Sequence, residues 1–117
     1  MPTFEKYTLA ATGTTGNNTH DAVHVGGGYE TAIVQFVVEA AGAGPTVTWK
    51  VQGRIDDGSD WFDLGYVTDS NDTFATTTRT ATATGKQLNF SKRKYKYLRL
   101  VTTLNTNITY RCEVYLT

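Results

Sequence analysis

Residues 98–116 read Leu-Arg-Leu-Val-Thr-Thr-Leu-Asn-Thr-Asn-Ile-Thr-Tyr-Arg-Cys-Glu-Val-Tyr-Leu. Apolar side chains recur at every second position on either side of one polar break. Leu98, Leu100, Thr102 and Leu104 share one face of a first strand, and Ile108, Tyr110, Cys112, Val114 and Leu116 share one face of a second. Side chains alternate across a strand, so this period marks a ribbon with one buried and one wet face. Asn105-Thr106-Asn107 are turn-formers. The stretch is therefore expected to be an antiparallel hairpin, with Tyr95, Tyr97, Arg99, Val101, Arg111, Glu113 and Tyr115 on its outer face.

The same period recurs upstream. Val47, Trp49, Val51 and Ile55 face one way, and Thr48, Lys50, Gln52 and Arg54 the other. Before them, Thr31 to Ala40 is almost continuously apolar, which predicts a central strand covered on both sides by a second sheet or a partner chain. Ala41-Gly42-Ala43-Gly44-Pro45 is read as a sharp turn between the two, and Asp57-Gly58 as the corner before a strand over Trp61–Val67. A turn at Asp69–Asp72 precedes an edge strand or extended loop over Phe74–Thr84, rich in threonine but poor in apolar mass. Ala22–Val25 forms a short strand. No segment shows the helical period. About eight short strands with Gly, Asn and Asp at their corners define an all-β chain: a two-sheet antiparallel sandwich of jelly-roll type.

The chain has 117 residues, the length of one domain. Residues 1–20 are assigned to an N-terminal strand and a flexible arm, because Ala11 to Thr19 is rich in Gly, Asn and Thr. Residues 21–117 are assigned to the β-sandwich domain. The formal net charge is zero, so nothing global steers the protein to nucleic acid or an anionic membrane. It has no apolar run of about twenty residues and no basic-then-apolar leader at Met1–Ala11. Synthesis inside a cell is the default expectation. Cys112, the single cysteine, has no internal partner and reads as a buried, reduced thiol. Asn17, Asn71, Asn89 and Asn107 lie in glycosylation triplets, which a threonine-rich chain produces by chance.

Three constellations invite chemistry. Asp56, Asp57, Asp60, Asp63, Asp69 and Asp72 crowd the turns around the Trp61 strand. Their spacing is not that of a calcium loop, and solvated turn residues are the first reading. A weak cation site and pairing with basic groups of a neighbouring subunit are the alternatives. The second is the basic corner: Lys92, Arg93, Lys94, Tyr95, Lys96, Tyr97 and Arg99. Such a corner protects an exposed strand from edge pairing, docks on an acidic protein surface, or holds phosphates with rings for bases to stack on. The third is the tryptophan pair. Trp49 and Trp61 fit a small β core better than a sugar platform. Catalysis finds no support. His20 and His24 are the only imidazoles, His24 lies three residues from Asp21, and no phosphate-loop, dinucleotide or zinc-protease pattern exists. No catalytic residue, cofactor or metal is expected.

The run Val47-Thr48-Trp49-Lys50-Val51-Gln52-Gly53-Arg54-Ile55-Asp56-Asp57-Gly58-Ser59-Asp60-Trp61-Phe62-Asp63-Leu64 resembles a pattern in small β-sandwich proteins of tailed bacteriophages. There a Val-x-Val-Gln-x-Ser strand enters an Asp-Gly turn, and a Trp and an Asp-Leu pair follow. The loop before it, Ala41 to Thr48, and the late Tyr95-Lys96-Tyr97-Leu98-Arg99-Leu100 strand are similar too. Gly53 stands where serine is common, and Asp57 is extra. The resemblance covers residues 21–117. It implies a virion accessory role such as a capsid decoration or cement subunit, made in the host cytoplasm and resident on the capsid surface. It favours a homo-oligomer, possibly a trimer, and carries no catalytic residues. Its partners would be capsid or other virion proteins, with no membrane and with nucleic acid disfavoured. The competing expectation is a carbohydrate- or receptor-binding module on a virion or cell surface. The residues assigned to partner binding are Lys92, Arg93, Lys94, Tyr95, Lys96, Tyr97, Arg99 and Tyr115.

Overall fold

The computed structural model describes residues 5–26, 28–58, 60–65, 78–91 and 95–117. Among them are eight strands: β1 (Glu5–Thr15), β2 (Asn18–Thr19), β3 (Val23–His24), β4 (Ala32–Arg54), β5 (Phe62–Asp63), β6 (Arg79–Ala81), β7 (Gly85–Ser91) and β8 (Tyr97–Leu116). Every pairing is antiparallel.

β4 and β8 form the spine, paired from Ala32 with Leu116 to Arg54 with Tyr97. β4 has 23 residues and laid flat would run to about 76 Å. The whole molecule is 41 Å in its longest dimension, so the strand must fold over. Phe36 and Trp49 prove it: both lie on β4, yet their rings stack 4.7 Å apart at 9°. Each spine strand thus serves two layers. One layer holds β1, residues 108–116 of β8, residues 32–41 of β4, and β7. The other holds β2 and β3, residues 97–103 of β8, residues 46–54 of β4, then β6 and β5. This is a two-layer, all-β sandwich wrapped as a jelly roll.

The expected hairpin of 98–104 with 108–116 does not form. Both segments pair with β4 instead, one in each layer. Asn105 and Asn107 do break the straight strand, but into a bend. Asn105 accepts from the Ile108 N–H and donates to the Ile108 and Gly16 carbonyls. Leu104 and Asn107 both take the left-handed conformation, φ 53° and 55°. The expected turn at Ala41–Pro45 is the matching bend in β4. Ala41 pairs with Ile108 and Thr46 with Thr106, so Gly42 to Pro45 bulge opposite Asn107 alone, whose Nδ2 donates to the Ala43 carbonyl at 2.6 Å. A bulge adds local twist and bending, and here the two bulged strands turn the sheet's corner together.

Other boundaries also move. Residues 11–15, expected in a loop or arm, continue β1 against β8, and Leu9 and Ala10 are buried in the core. Asn18 and Thr19 add to the sheet as β2. The segment 32–38 is covered by the opposite layer on one side only. Ala32, Val34, Phe36 and Val38 point inward, whereas on the outer face Ile33 and Gln35 are half-buried and only Val37 is buried. The strand after the Asp-Gly corner shrinks to Phe62–Asp63 among the described residues. The Asp69–Asp72 turn and residues 74–77 lie outside them; of the rest of the Phe74–Thr84 segment, residues 79–81 form β6 against β4.

The core is built on Phe36, Val47, Trp49, Leu98, Leu100, Tyr110, Cys112 and Val114, all effectively sealed from water. Several buried polar groups on its rim are partnered, as burial demands. Trp49 Nε1 donates to Gln87 at 2.6 Å, and Arg79 donates to Asn89 Oδ1 at 2.9 Å. Tyr110 OH meets Thr102, His20 and Asn18 at 2.8, 2.9 and 3.1 Å.

Candidate functional site

Parity along the spine decides which side chains reach the outer face of the β3/β6 layer. In register, His24, Tyr97 and Arg54 form one row across the sheet, and Arg99, Gln52 and Asp63 form the next. Trp61 enters from the chain just before β5. Its ring lies on this face, not in the core: Arg99 Cζ is 4.1 Å from the ring centroid and Arg54 Cζ is 4.8 Å from it. Arg54 also lies 4.8 Å from the Tyr97 ring, and His24 packs on the other flank of Tyr97 with centroids 5.1 Å apart. The two tryptophans therefore part company. Trp49 is fully buried, as expected, whereas Trp61 is half-buried under two guanidinium groups.

Hydrogen bonds set the positions of the cations. Arg99 Nε donates to Gln52 Oε1 at 2.8 Å. Gln52 Nε2 donates to Asp63 Oδ1 at 2.8 Å, and Lys50 Nζ to Asp63 Oδ2 at 3.1 Å. The Gln52 bond, with Lys50 behind it, holds the Asp63 carboxyl below its ordinary range. At the corner, Tyr97 OH donates to Asp57 Oδ1, and Lys96 Nζ lies 3.6 Å from the same oxygen. That hydrogen bond pushes the Asp57 carboxyl down and the Tyr97 phenol up. Asp56 closes the turn by accepting from the Gly58 N–H at 2.9 Å. Asp56, Asp57 and Asp63 thus serve turns and cations of their own chain. Asp69 and Asp72 lie outside the described residues, and no cluster of three or more metal-ligating side chains occurs among the rest.

Asp57 and Asp63 on this face have cationic partners, but its arginines lack carboxylate ones. Neither Arg54 nor Arg99 makes an ion pair among the described residues. Arg54 Nε is buried without a hydrogen-bond partner. An unpaired buried donor carries a desolvation cost, here with two aromatic faces in place of an acceptor.

The described residues among those assigned from sequence to partner binding divide three ways. Tyr97, Arg99 and Lys96 lie together on this face. Tyr95 does not: its ring turns inward over Gly53, where an added Cβ would lie 2.6 Å from the ring. The Tyr95 N–H donates to Tyr29 OH at 2.7 Å. Tyr95 follows the irregular residues ahead of β8, so strand parity does not govern it. Tyr115 lies on the outer face of the other layer, paired across to Ile33 and Lys6. The bend in β8 carries it to the opposite side of the sandwich from Tyr97 and Arg99. Lys92, Arg93 and Lys94 lie outside the described residues. Sequence reading missed Arg54, Gln52 and Trp61 as members of the face. The alternation at 48–54 put the first two on the wet side. Trp61 carried no such signal, because it precedes its strand.

Several side features bear on function. Cys112 is fully buried, and burial pushes its thiol well above its ordinary value. Asn89 is buried and bonded to Arg79, which removes it as a glycosylation acceptor in the folded chain. On the other layer's outer face Glu113 is only 5% exposed, with Arg111 3.7 Å away and its Oε2 unpartnered.

No family model matches this sequence, and no curated protein does. Among solved structures, one described as "Crystal structure of PirA" is similar over 100% of this chain and 95% of that chain, with a TM-score of 0.48 and 14% sequence identity.

Proposed function

We propose that this protein is a non-enzymatic virion structural protein, a capsid decoration or cement subunit that docks on the capsid surface. The observation that carries the docking half is the outer face of the β3/β6 layer. Trp61, Arg54, Tyr97 and Arg99 form one continuous aromatic and cationic surface there. Tryptophan, tyrosine and arginine are the residues that dominate interface energetics, and their mutual ring and guanidinium contacts here lower the cost of ordering them on binding. The virion half rests on the similarity of residues 47–64 to small phage β-sandwich proteins. Self-association, with a trimer favoured, belongs to the same reading, since virion subunits repeat by symmetry.

The competing reading, a carbohydrate- or receptor-binding module, keeps one observation in its favour: Trp61 is on the outside. A sugar platform needs an open ring face, and two guanidinium groups already lie against this ring. Mass spectrometry of purified particles tests the leading reading. The protein should be present at a fixed copy number per particle, and its absence from particles would overturn the proposal. Light scattering of the free protein should give a multiple of 12.9 kDa.

A further inference from the structure

We infer that Arg54 and Arg99, stacked on Trp61, form a carboxylate-binding site for an acidic segment of a protein partner. The inference rests on the reading of this face as the docking surface and names the chemistry that would recognise it. Three observations converge on it.

The first is charge left over. Asp63 is engaged by Gln52 and Lys50, and Asp57 by Tyr97 and Lys96. Neither guanidinium group has a carboxylate within ion-pair distance among the described residues, and the Arg54 charge reaches only the already engaged Asp57. The second is orientation. Arg99 is fixed through Nε by Gln52, which leaves its terminal nitrogens directed away from that bond. Arg54 is held between the Trp61 and Tyr97 rings. A guanidinium lying over a ring keeps its fork of N–H donors, and that fork matches the two oxygens of a carboxylate. The third is partial desolvation. The rings strip water from Arg54, to the point that Nε is buried and unpartnered, and an ion pair formed at a drier site is stronger than one on open surface. A carboxylate on a flexible acidic segment reaches such a site without a deep pocket.

The test is a titration of the purified protein with N-acetylated hexaglutamate amide, followed by tryptophan fluorescence. Trp49 is fully buried and supplies a constant background, so the change reports Trp61. The peptide should bind with strong salt dependence. Arg99→Lys keeps the charge and loses the fork, and should weaken binding by about three- to tenfold. The double variant Arg54→Gln/Arg99→Gln should weaken it by more than about tenfold. Lys86→Gln, on the other layer, should leave it unchanged. Should the double variant fail to fold, the single Arg99→Lys variant decides. Parallel titrations use inorganic phosphate and oligothymidylate. No binding of hexaglutamate at millimolar concentration overturns the inference. So do equal binding by the folded arginine variants, phosphate binding as tightly as the peptide, or the oligonucleotide binding more tightly. The two readings fail separately. Hexaglutamate binding by a protein absent from particles sinks the virion role alone. Full particle occupancy by the double variant sinks the carboxylate site alone.

Discussion

Gly53→Ala is a test in which the sign of the effect decides. Gly53 lies in β4 with its α-carbon under the Tyr95 ring. An alanine Cβ would come within 2.6 Å of Tyr95 Cγ and 2.7 Å of Cδ1. Carbon atoms rest at about 3.5–4.0 Å, so the ring would have to retreat by about 1 Å. It is tethered: the Tyr95 N–H donates to the hydroxyl of Tyr29, itself buried. Forcing a group into packed surroundings costs about 1–3 kcal/mol. Against this, replacing glycine by alanine at a compatible site stabilises by about 0.4–1 kcal/mol through the unfolded chain. The net expectation is a loss of about 1–2 kcal/mol, read as a lower urea midpoint at unchanged slope. The double-mutant cycle with Tyr95→Ala isolates the clash. In that background Gly53→Ala should become neutral or stabilising, a coupling of about 1–3 kcal/mol. A single variant as stable as the parent, or more stable, would refute the placement of the Tyr95 ring.

Leu104 is 71% exposed and adopts φ 53°, so Leu104→Gly removes a left-handed penalty of about 1 kcal/mol with little packing to lose; thermal unfolding should shift upward, and a downward shift would deny the strain. His20 has a depressed imidazole pKa, chiefly because it is partly buried against Tyr110. The unfolded chain then takes up a proton near pH 6.5 that the folded chain refuses, so stability from this group is full above about pH 6.5 and falls as pH drops toward the folded value. In urea midpoints measured between pH 5 and 8, His20→Gln should flatten that slope, and an unchanged slope would assign it elsewhere. The Cys112 thiol, sealed in the core with its pKa pushed up, should react with a disulfide reagent only as fast as the protein opens; fast labelling of the native protein would contradict its burial.

The fold class was legible because the period of two is dense along 47–54 and 98–116, and strand parity assigned nearly every inward residue there. What sequence could not distinguish was a bend from a reversal. Asn105, Asn107 and the glycines at 42 and 44 are the same residues in either case. The choice lies in which partner completes the ladder, and β4 is distant in sequence. The same ambiguity split the assigned site, because Tyr115 and Tyr97 share a strand and an outward parity but not a side of the molecule. Trp61 was read as core because aromatic mass usually is. Its outer placement follows from the registry of β5 on β4, which residue types alone do not encode.

The continuous spine has a kinetic consequence. Its ladder joins Arg54 to Tyr97 at the near end and Ala32 to Leu116 at the far end, with no tight hairpin to seed it. Every rung of this ladder closes a long loop, so the chain belongs among high-contact-order folders that take milliseconds to seconds. The transition state must already bring the middle of the chain to its C-terminal fifth. Neither layer can melt alone, since both are cut from the same two strands. Local openings should therefore be confined to the short edge strands, while amides of β4 and β8 exchange only through global unfolding.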